Sequence, residues 1–181
     1  MVSSLLVLSK FLYLASATLT IGHLLLLIFF VRNTAGSIRD EYLFLRNRIA
    51  RFAWVWLFST IVFILATLAS ILDLPITSAF DLTMLRSFLT QISLGKSLAL
   101  QTIGALAVAL SISRVRKVSH GALILVLSIF SISIPVFQSH SAAGGSHLIA
   151  IGTLLIHVIG ITLWVGGLSA LVINRKIKLP S

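Results

Sequence analysis

Long apolar runs separated by short polar or charged segments divide most of the chain. Five of these runs approach the ~20 residues that a membrane-spanning helix needs. They lie at Ser4–Val31, Phe52–Leu72, Leu94–Ser113, Gly121–Phe137 and His147–Ile173. Between the second and third runs, apolar residues recur at helical spacing over Ser78–Ser93, which predicts an amphipathic helix on the outer membrane surface. The pattern predicts an all-α, polytopic membrane helix bundle.

Composition agrees with this prediction, because 58% of the 181 residues are hydrophobic and only 10% are charged. The mean hydropathy is +1.11. So few charges cannot cover the surface of a water-soluble fold of this size. We expect one membrane domain over residues 1–181. The chain has no cysteine, which leaves histidine as the main nitrogen or sulfur ligand for a soft metal ion.

The basic residues are concentrated in three segments between or after the predicted spans. Their members are Arg32, Arg39, Arg46, Arg48 and Arg51, then Arg114, Arg116 and Lys117, and finally Arg175, Lys176 and Lys178. By the positive-inside rule these segments are cytoplasmic, so the N-terminus is predicted outside and the C-terminus inside. The net charge of +10 therefore reflects membrane topology, and nucleic-acid binding is not predicted.

Polar residues form a line along each of two predicted spans. The first line comprises Ser9, Tyr13, Ser16, Thr20 and His23, and the second comprises Thr153, His157, Gly160, Trp164 and Gly167. A constant offset of 144 residues relates the two spans and maps Gly22 onto Gly166, which indicates a weak internal repeat. We expect the two lines to lie side by side, with Gly160, Gly166 and Gly167 allowing close helix packing.

Three histidines form a predicted series from the outer surface to the middle of the membrane. His157 lies near mid-membrane by length, whereas His147 and His140 lie above it. An ionisable residue inside a membrane usually marks an ion path or ligand site. We predict these three as metal ligands, supported by Tyr13, His23, Gln101 and Trp164. The alternative is that His157 only donates a hydrogen bond to a carbonyl or to Gln101.

Two segments in the second half of the chain resemble the CopD domain of copper-resistance membrane proteins. The first segment is residues 139–143, around His140, and the second is His157–Leu168, which ends in Trp-Val-Gly-Gly-Leu. The likeness covers about Asp81–Asn174. The resemblance implies copper handling or transport at the cell membrane, with uptake from the outer face. It also implies contact with an outer-face copper-binding protein or an oxidase-assembly partner.

Two other functions remain open from the sequence. A membrane protein that binds haem b is one, since Trp164 lies about two turns from His157 on the same side of the helix, although His23 and His157 differ too much in depth to share one iron. A non-catalytic assembly or scaffold subunit is the other, with the polar lines joining helices. An enzyme is not predicted, because the sequence has no phosphate loop, no nucleophile elbow and no carboxylate within a span.

Overall fold

The structure is a computed structural model that describes residues 2–30, 37–38, 43–139 and 147–175, except for the side chains of 43, 138, 139, 147 and 148. Its secondary structure is helical apart from one isolated bridge. The helices are α1 (Val2–Phe30), α2 (Leu43–Leu72), α3 (Leu82–Gln91), α4 (Ser93–Ser111), α5 (Val118–Ser133), α6 (Val136–Ser139) and α7 (His147–Ile173), with 3₁₀ turns at Ile76–Phe80 and Ile112–Arg114. The predicted all-α membrane bundle is confirmed.

Four helices are long and apolar enough to cross a membrane. They span Val2–Phe30, Phe44–Leu72, Ser93–Arg114 and Ile149–Ile173. The helix in the fourth predicted span, α5, has 16 residues, or about 24 Å, against a hydrocarbon core of about 30 Å. It ends at Ser133 rather than Phe137, because Pro135 lacks a backbone N–H and cannot continue the helix.

The second helix begins well before the predicted boundary at Phe52. Its first turns contain Leu45, Ile49 and Ala53, which lie one turn apart on a single face and are all fully buried. This apolar face packs into the core, so the segment is helical despite its arginines. Three of the arginines that were predicted to lie in a loop, Arg46, Arg48 and Arg51, therefore occupy the start of α2, where long side chains can reach the membrane surface.

Four helices close into a ring. Helix α1 packs against α2 and α5, α2 packs against α4, and α4 packs against α5. The Tyr13 ring lies against the Phe63 ring, with centroids 5.2 Å apart, and the His23 ring lies 5.0 Å from that of Phe52. The short helix α3 lies against α4. Helix α7 lies outside the ring, mainly against α1. Only 11% of its most apolar 18-residue segment is buried, compared with 50–61% of the corresponding segments in the other three spans.

The contact between α1 and α7 is a crossing of two glycines. A Cβ atom on Gly22 would overlap the carbonyl of Gly166, and one on Gly166 would overlap the carbonyl of Thr18. The offset of the predicted repeat relates these two glycines, so equivalent positions of the two helices touch each other. By contrast, a Cβ on Gly160 would meet no atom within 4 Å, and one on Gly167 would meet only the Leu25 side chain, at 3.9 Å. Gly166 thus lies in the packing contact and Gly160 does not.

The three basic segments meet at one end of the bundle. Ser37 pairs with Lys117 in an isolated antiparallel bridge, and the backbone N–H of Ile38 donates to the carbonyl of Arg116 at 3.0 Å. Near the end of α7, Arg48 donates to the side-chain oxygen of Asn174 at 2.5 Å. The first cytoplasmic segment predicted from charge is therefore joined to both of the others.

The opposite end carries the connection between α2 and α4. Asp81 caps α3, because its carboxylate accepts from the backbone N–H groups of Thr83 at 2.8 Å and Met84 at 3.0 Å. The predicted helix over Ser78–Ser93 is confirmed in its central part. Of its apolar face, Phe88 is buried, whereas Phe80 remains largely exposed.

We expect Gly22→Ala to destabilise the protein by about 1–3 kcal/mol, because the added methyl group overlaps the backbone of α7 and forces the helices apart. The measurement is thermal unfolding in detergent, followed by circular dichroism. Gly160→Ala is the matched control in α7, where the methyl group enters open space; it should be neutral or slightly stabilising. Equal stability of the two variants would contradict the crossing.

Candidate functional site

The polar line of α1 faces the interior of the ring. Its members Ser9, Tyr13, Ser16, Thr20 and His23 are all buried. The prediction that this line faces protein or water rather than lipid is therefore confirmed. The hydroxyl groups donate to carbonyl oxygens of their own helix: Ser9 to Leu6 at 3.1 Å, Ser16 to Leu12 at 2.6 Å and Thr20 to Ser16 at 2.8 Å.

His23 is the one histidine whose side chain is buried within the described residues. Its Nδ1 lies 2.8 Å from the carbonyl oxygen of Leu19. Because a carbonyl can only accept, Nδ1 carries the proton and Nε2 has a lone pair. That Nε2 is buried and has no hydrogen-bond partner. A neutral imidazole held through one nitrogen, with the other nitrogen free, is the usual state of a metal-ligating histidine.

Other buried polar atoms in the ring also have no partner. They are the Nε of Arg46 and the indole Nε1 of Trp56 in α2, and both side-chain amide atoms of Gln101 in α4. The side chains of Trp56 and Gln101 are fully buried. A buried polar group without a partner costs roughly 1–3 kcal/mol of stability, so such groups persist where they have another role or another ligand. Gln101 makes no hydrogen bond to His157, which excludes the predicted structural alternative for that pair in this structure.

The polar line predicted on α7 faces away from α1. His157 and Thr153 are exposed, and Trp164 is 74% exposed. The expectation that the two polar lines lie side by side, with His157 opposite Tyr13, was wrong. The buried face of α7 instead contains Thr162, Gly166, Ala170 and Asn174. Small side chains allow the close approach to α1, whereas His157 and Trp164 would hold the two backbones apart.

The other predicted metal ligands lie at or beyond the limit of the described residues. His140 falls outside them, and His147 begins α7 with a side chain that is not among those described. Within the described part of the chain, no group of three or more His, Asp or Glu residues converges as a metal site would require. The roles of His140, His147 and His157 as ligands stay predictions. His120, close to the basic residues Arg114, Arg116 and Lys117, is exposed.

Two features of the site were missed from the sequence. A cavity of about 490 Å³ opens at the end of the bundle where α1 begins and α2 ends. Its polar lining comprises Ser3, Ser70, Asp73 and Thr77. The second feature is a polar face on α2 that matches the one on α1, with Ser59, Thr60 and Thr67 all buried. The helical spacing of Phe52, Trp56, Thr60 and Thr67 was the available signal in the sequence.

Fold and interior together define a polytopic helical membrane protein with a polar core. A family model for the copper resistance protein D-like, N-terminal domain matches residues 1–148. The chain belongs to this family, which confirms the resemblance to copper-resistance membrane proteins. The match includes α1 to α6 and ends where α7 begins. Comparisons with curated proteins and with solved structures gave no match.

We expect His23→Leu to keep or raise the stability of the protein by up to about 3 kcal/mol, because the substitution removes a buried polar atom that has no partner. Unfolding in detergent measures this effect. Leu24→Ala, at the neighbouring fully buried position, should instead lose about 2–5 kcal/mol and shows that the assay detects damage to the core. A loss for His23→Leu as large as that of the control would indicate a purely structural histidine.

Proposed function

We propose that this protein binds copper inside the membrane and carries it across, with His23 as a ligand. Family membership supports copper as the cargo. The observation that carries the proposal is the free Nε2 of His23, which is fully buried and fixed in the tautomer that binds metal. Copper accepts neutral imidazole nitrogen readily. In this proposal, copper crosses the membrane inside the ring of α1, α2, α4 and α5, and His23 binds it on the way.

The outer histidines have a different part in this proposal. His140 and His147 follow α6 in the chain, on the side where α7 begins, and would capture copper before it enters the ring. His157 lies outside the ring, so it would act only from the exposed face of α7. Copper therefore passes through α1 and its neighbours rather than down α7.

A second candidate function is supported by the exposure of α7. Most of this helix is uncovered, including a histidine and a tryptophan that membrane proteins seldom leave in contact with lipid at mid-membrane. A scaffold or assembly subunit would use this face to hold a partner. Such a role predicts that substitutions at His157 disturb association, whereas those at His23 disturb copper binding.

The distribution of charge supports a proposed orientation. The three basic segments meet at one end of the bundle, and by the positive-inside rule we propose that this end is cytoplasmic. We propose that the N-terminus and the cavity beside Asp73 face outward. The carboxylate of Asp73 then lies where an arriving cation would first meet the protein.

We expect purified protein in detergent to bind Cu(I) in competition with a chromophoric chelator. His23→Ala should lower the affinity of the inner site by about tenfold or more, because a ligand is lost. The double variant His140→Ala/His147→Ala removes the proposed outer ligands and leaves the inner site for measurement alone.

The matched control is His120→Ala, which removes an exposed histidine and should bind copper as the unaltered protein does. If His23→Ala binds copper as tightly as this control in the background without outer histidines, His23 is not a ligand.

Since the chain contains no cysteine, single cysteines can report the orientation directly. We expect Thr77→Cys to react with a membrane-impermeant maleimide on intact cells. Ser119→Cys, exposed near the basic cluster, should react only after the membrane is opened. The reverse labelling pattern would overturn the proposed orientation.

A further inference from the structure

Three contacts fix the relative heights of side chains inside the ring. The Tyr13 and Phe63 rings join α1 to α2. A Cβ on Gly121 would lie 3.1 Å from Ile28, which joins α5 to α1, and Gly104 of α4 touches Ser131 of α5. With a rise of about 1.5 Å per residue, these contacts place Gln101 level with Ser16.

Several polar side chains of the ring lie close in height on this scale. Thr60 lies level with Ser16, and Trp56 lies level with Thr20, about one turn further toward the basic end. His23 follows about one turn below. From Gln101 to His23 the zone covers about 12 Å near the middle of α1. Gln101, Trp56 and His23, which have buried polar atoms without partners, therefore lie along one short stretch of the ring.

The hydroxyl groups in this zone can only accept further hydrogen bonds. Each has one proton, and each donates it to a carbonyl of its own helix at 2.6–2.8 Å. These hydroxyls belong to Ser16, Thr20, Thr60, Ser128 and Ser131. Their oxygens keep lone pairs that face no N–H or O–H of the protein in any hydrogen bond of the described residues. A ligand for this zone must donate to several acceptors in succession.

The atoms without hydrogen-bond partners include both donors and acceptors, so a ligand must be able to accept and to donate. Gln101 offers two N–H groups and a carbonyl oxygen, Trp56 offers an N–H, and His23 offers a lone pair. Water satisfies such a mixed set, since each molecule donates twice and accepts twice. A bare cation satisfies only the acceptors and leaves the N–H groups of Gln101 and Trp56 without partners.

We propose that the ring binds a file of water molecules that runs from Gln101 past Trp56 to His23. Water at Gln101 donates to the hydroxyl oxygens beside it, and water near Trp56 accepts from the indole and donates to Nε2 of His23. The file is a binding site in the protein interior that does not involve α7. Together with the proposed copper function, on which this last step rests, it is the hydrated route by which the ion reaches His23.

The test uses the three tryptophans of the chain as built-in probes. Trp54 and Trp164 are exposed to lipid, and Trp164 lies at the height of Trp56 because Gly22 meets Gly166. In ¹⁵N-labelled protein in lipid nanodiscs, we expect the Trp56 indole proton to exchange with water, in contrast to that of Trp164. Absence of exchange at Trp56 in the unaltered protein would overturn the proposal.

The variant Gln101→Leu tests whether Gln101 holds the file of water molecules in place. It should abolish or strongly slow exchange at Trp56, whereas Gln91→Leu, at an exposed position of α3, should leave exchange unchanged. Full exchange at Trp56 in Gln101→Leu would show that Gln101 does not hold the file.

Copper uptake into proteoliposomes separates the file from the copper function. We expect Gln101→Leu to slow uptake by about tenfold while copper affinity at His23 stays within about twofold. Undiminished uptake in this variant would overturn the file as an ion route. Water exchange at Trp56 without copper uptake by the unaltered protein would instead overturn the proposed function and leave the water file intact.

Discussion

The hydrocarbon core of a membrane supplies no hydrogen-bond partner, and this constraint orders the interior of the protein. The hydroxyl groups of Ser9, Ser16 and Thr20 on the inward face of α1 donate to carbonyl oxygens of their own helix, so these groups add no unpaired donor to the interior. The same solution recurs on α2, α4 and α5. What remains is a set of oxygens that only accept, and four larger side chains, His23, Arg46, Trp56 and Gln101, that each have a buried polar atom without a partner in the described residues. The polar interior is therefore built to take a ligand.

The fold was largely predictable because its dominant signals are local. Apolar length gives the spans, and the polar line of α1 gives the face that packs inward. The start of α2 was harder to predict, since it depends on whether Leu45 and Ile49 are buried. The end of α5 depends on one residue, Pro135. The facing of α7 was not predictable from polarity. Helix α7 lies outside the ring and packs its smallest residues against α1. The close backbone contact at Gly166 stabilises this orientation more than burial of the His157 side chain would.

The candidate site was predictable in part for a similar reason. The sequence identifies His23 as a member of a polar line, but its free Nε2 becomes visible only when Leu19 is seen to accept from the other nitrogen. Gln101 and Trp56 belong to different helices, and their heights, about one turn apart, follow from contacts that no single segment contains. The spacing of histidines along the chain thus favoured α7 as the location of the site, whereas the packing of the four helices favours the interior of the ring.

The single crossing at Gly22 and Gly166 divides the molecule into two parts with different freedom to change. The four ring helices lie within the family match, whereas nearly all of α7 lies beyond it. Since α7 meets α1 mainly through small residues, its outward surface takes no part in the packing of the interior. Substitutions on that surface can therefore suit a different neighbour in the membrane without altering the polar interior.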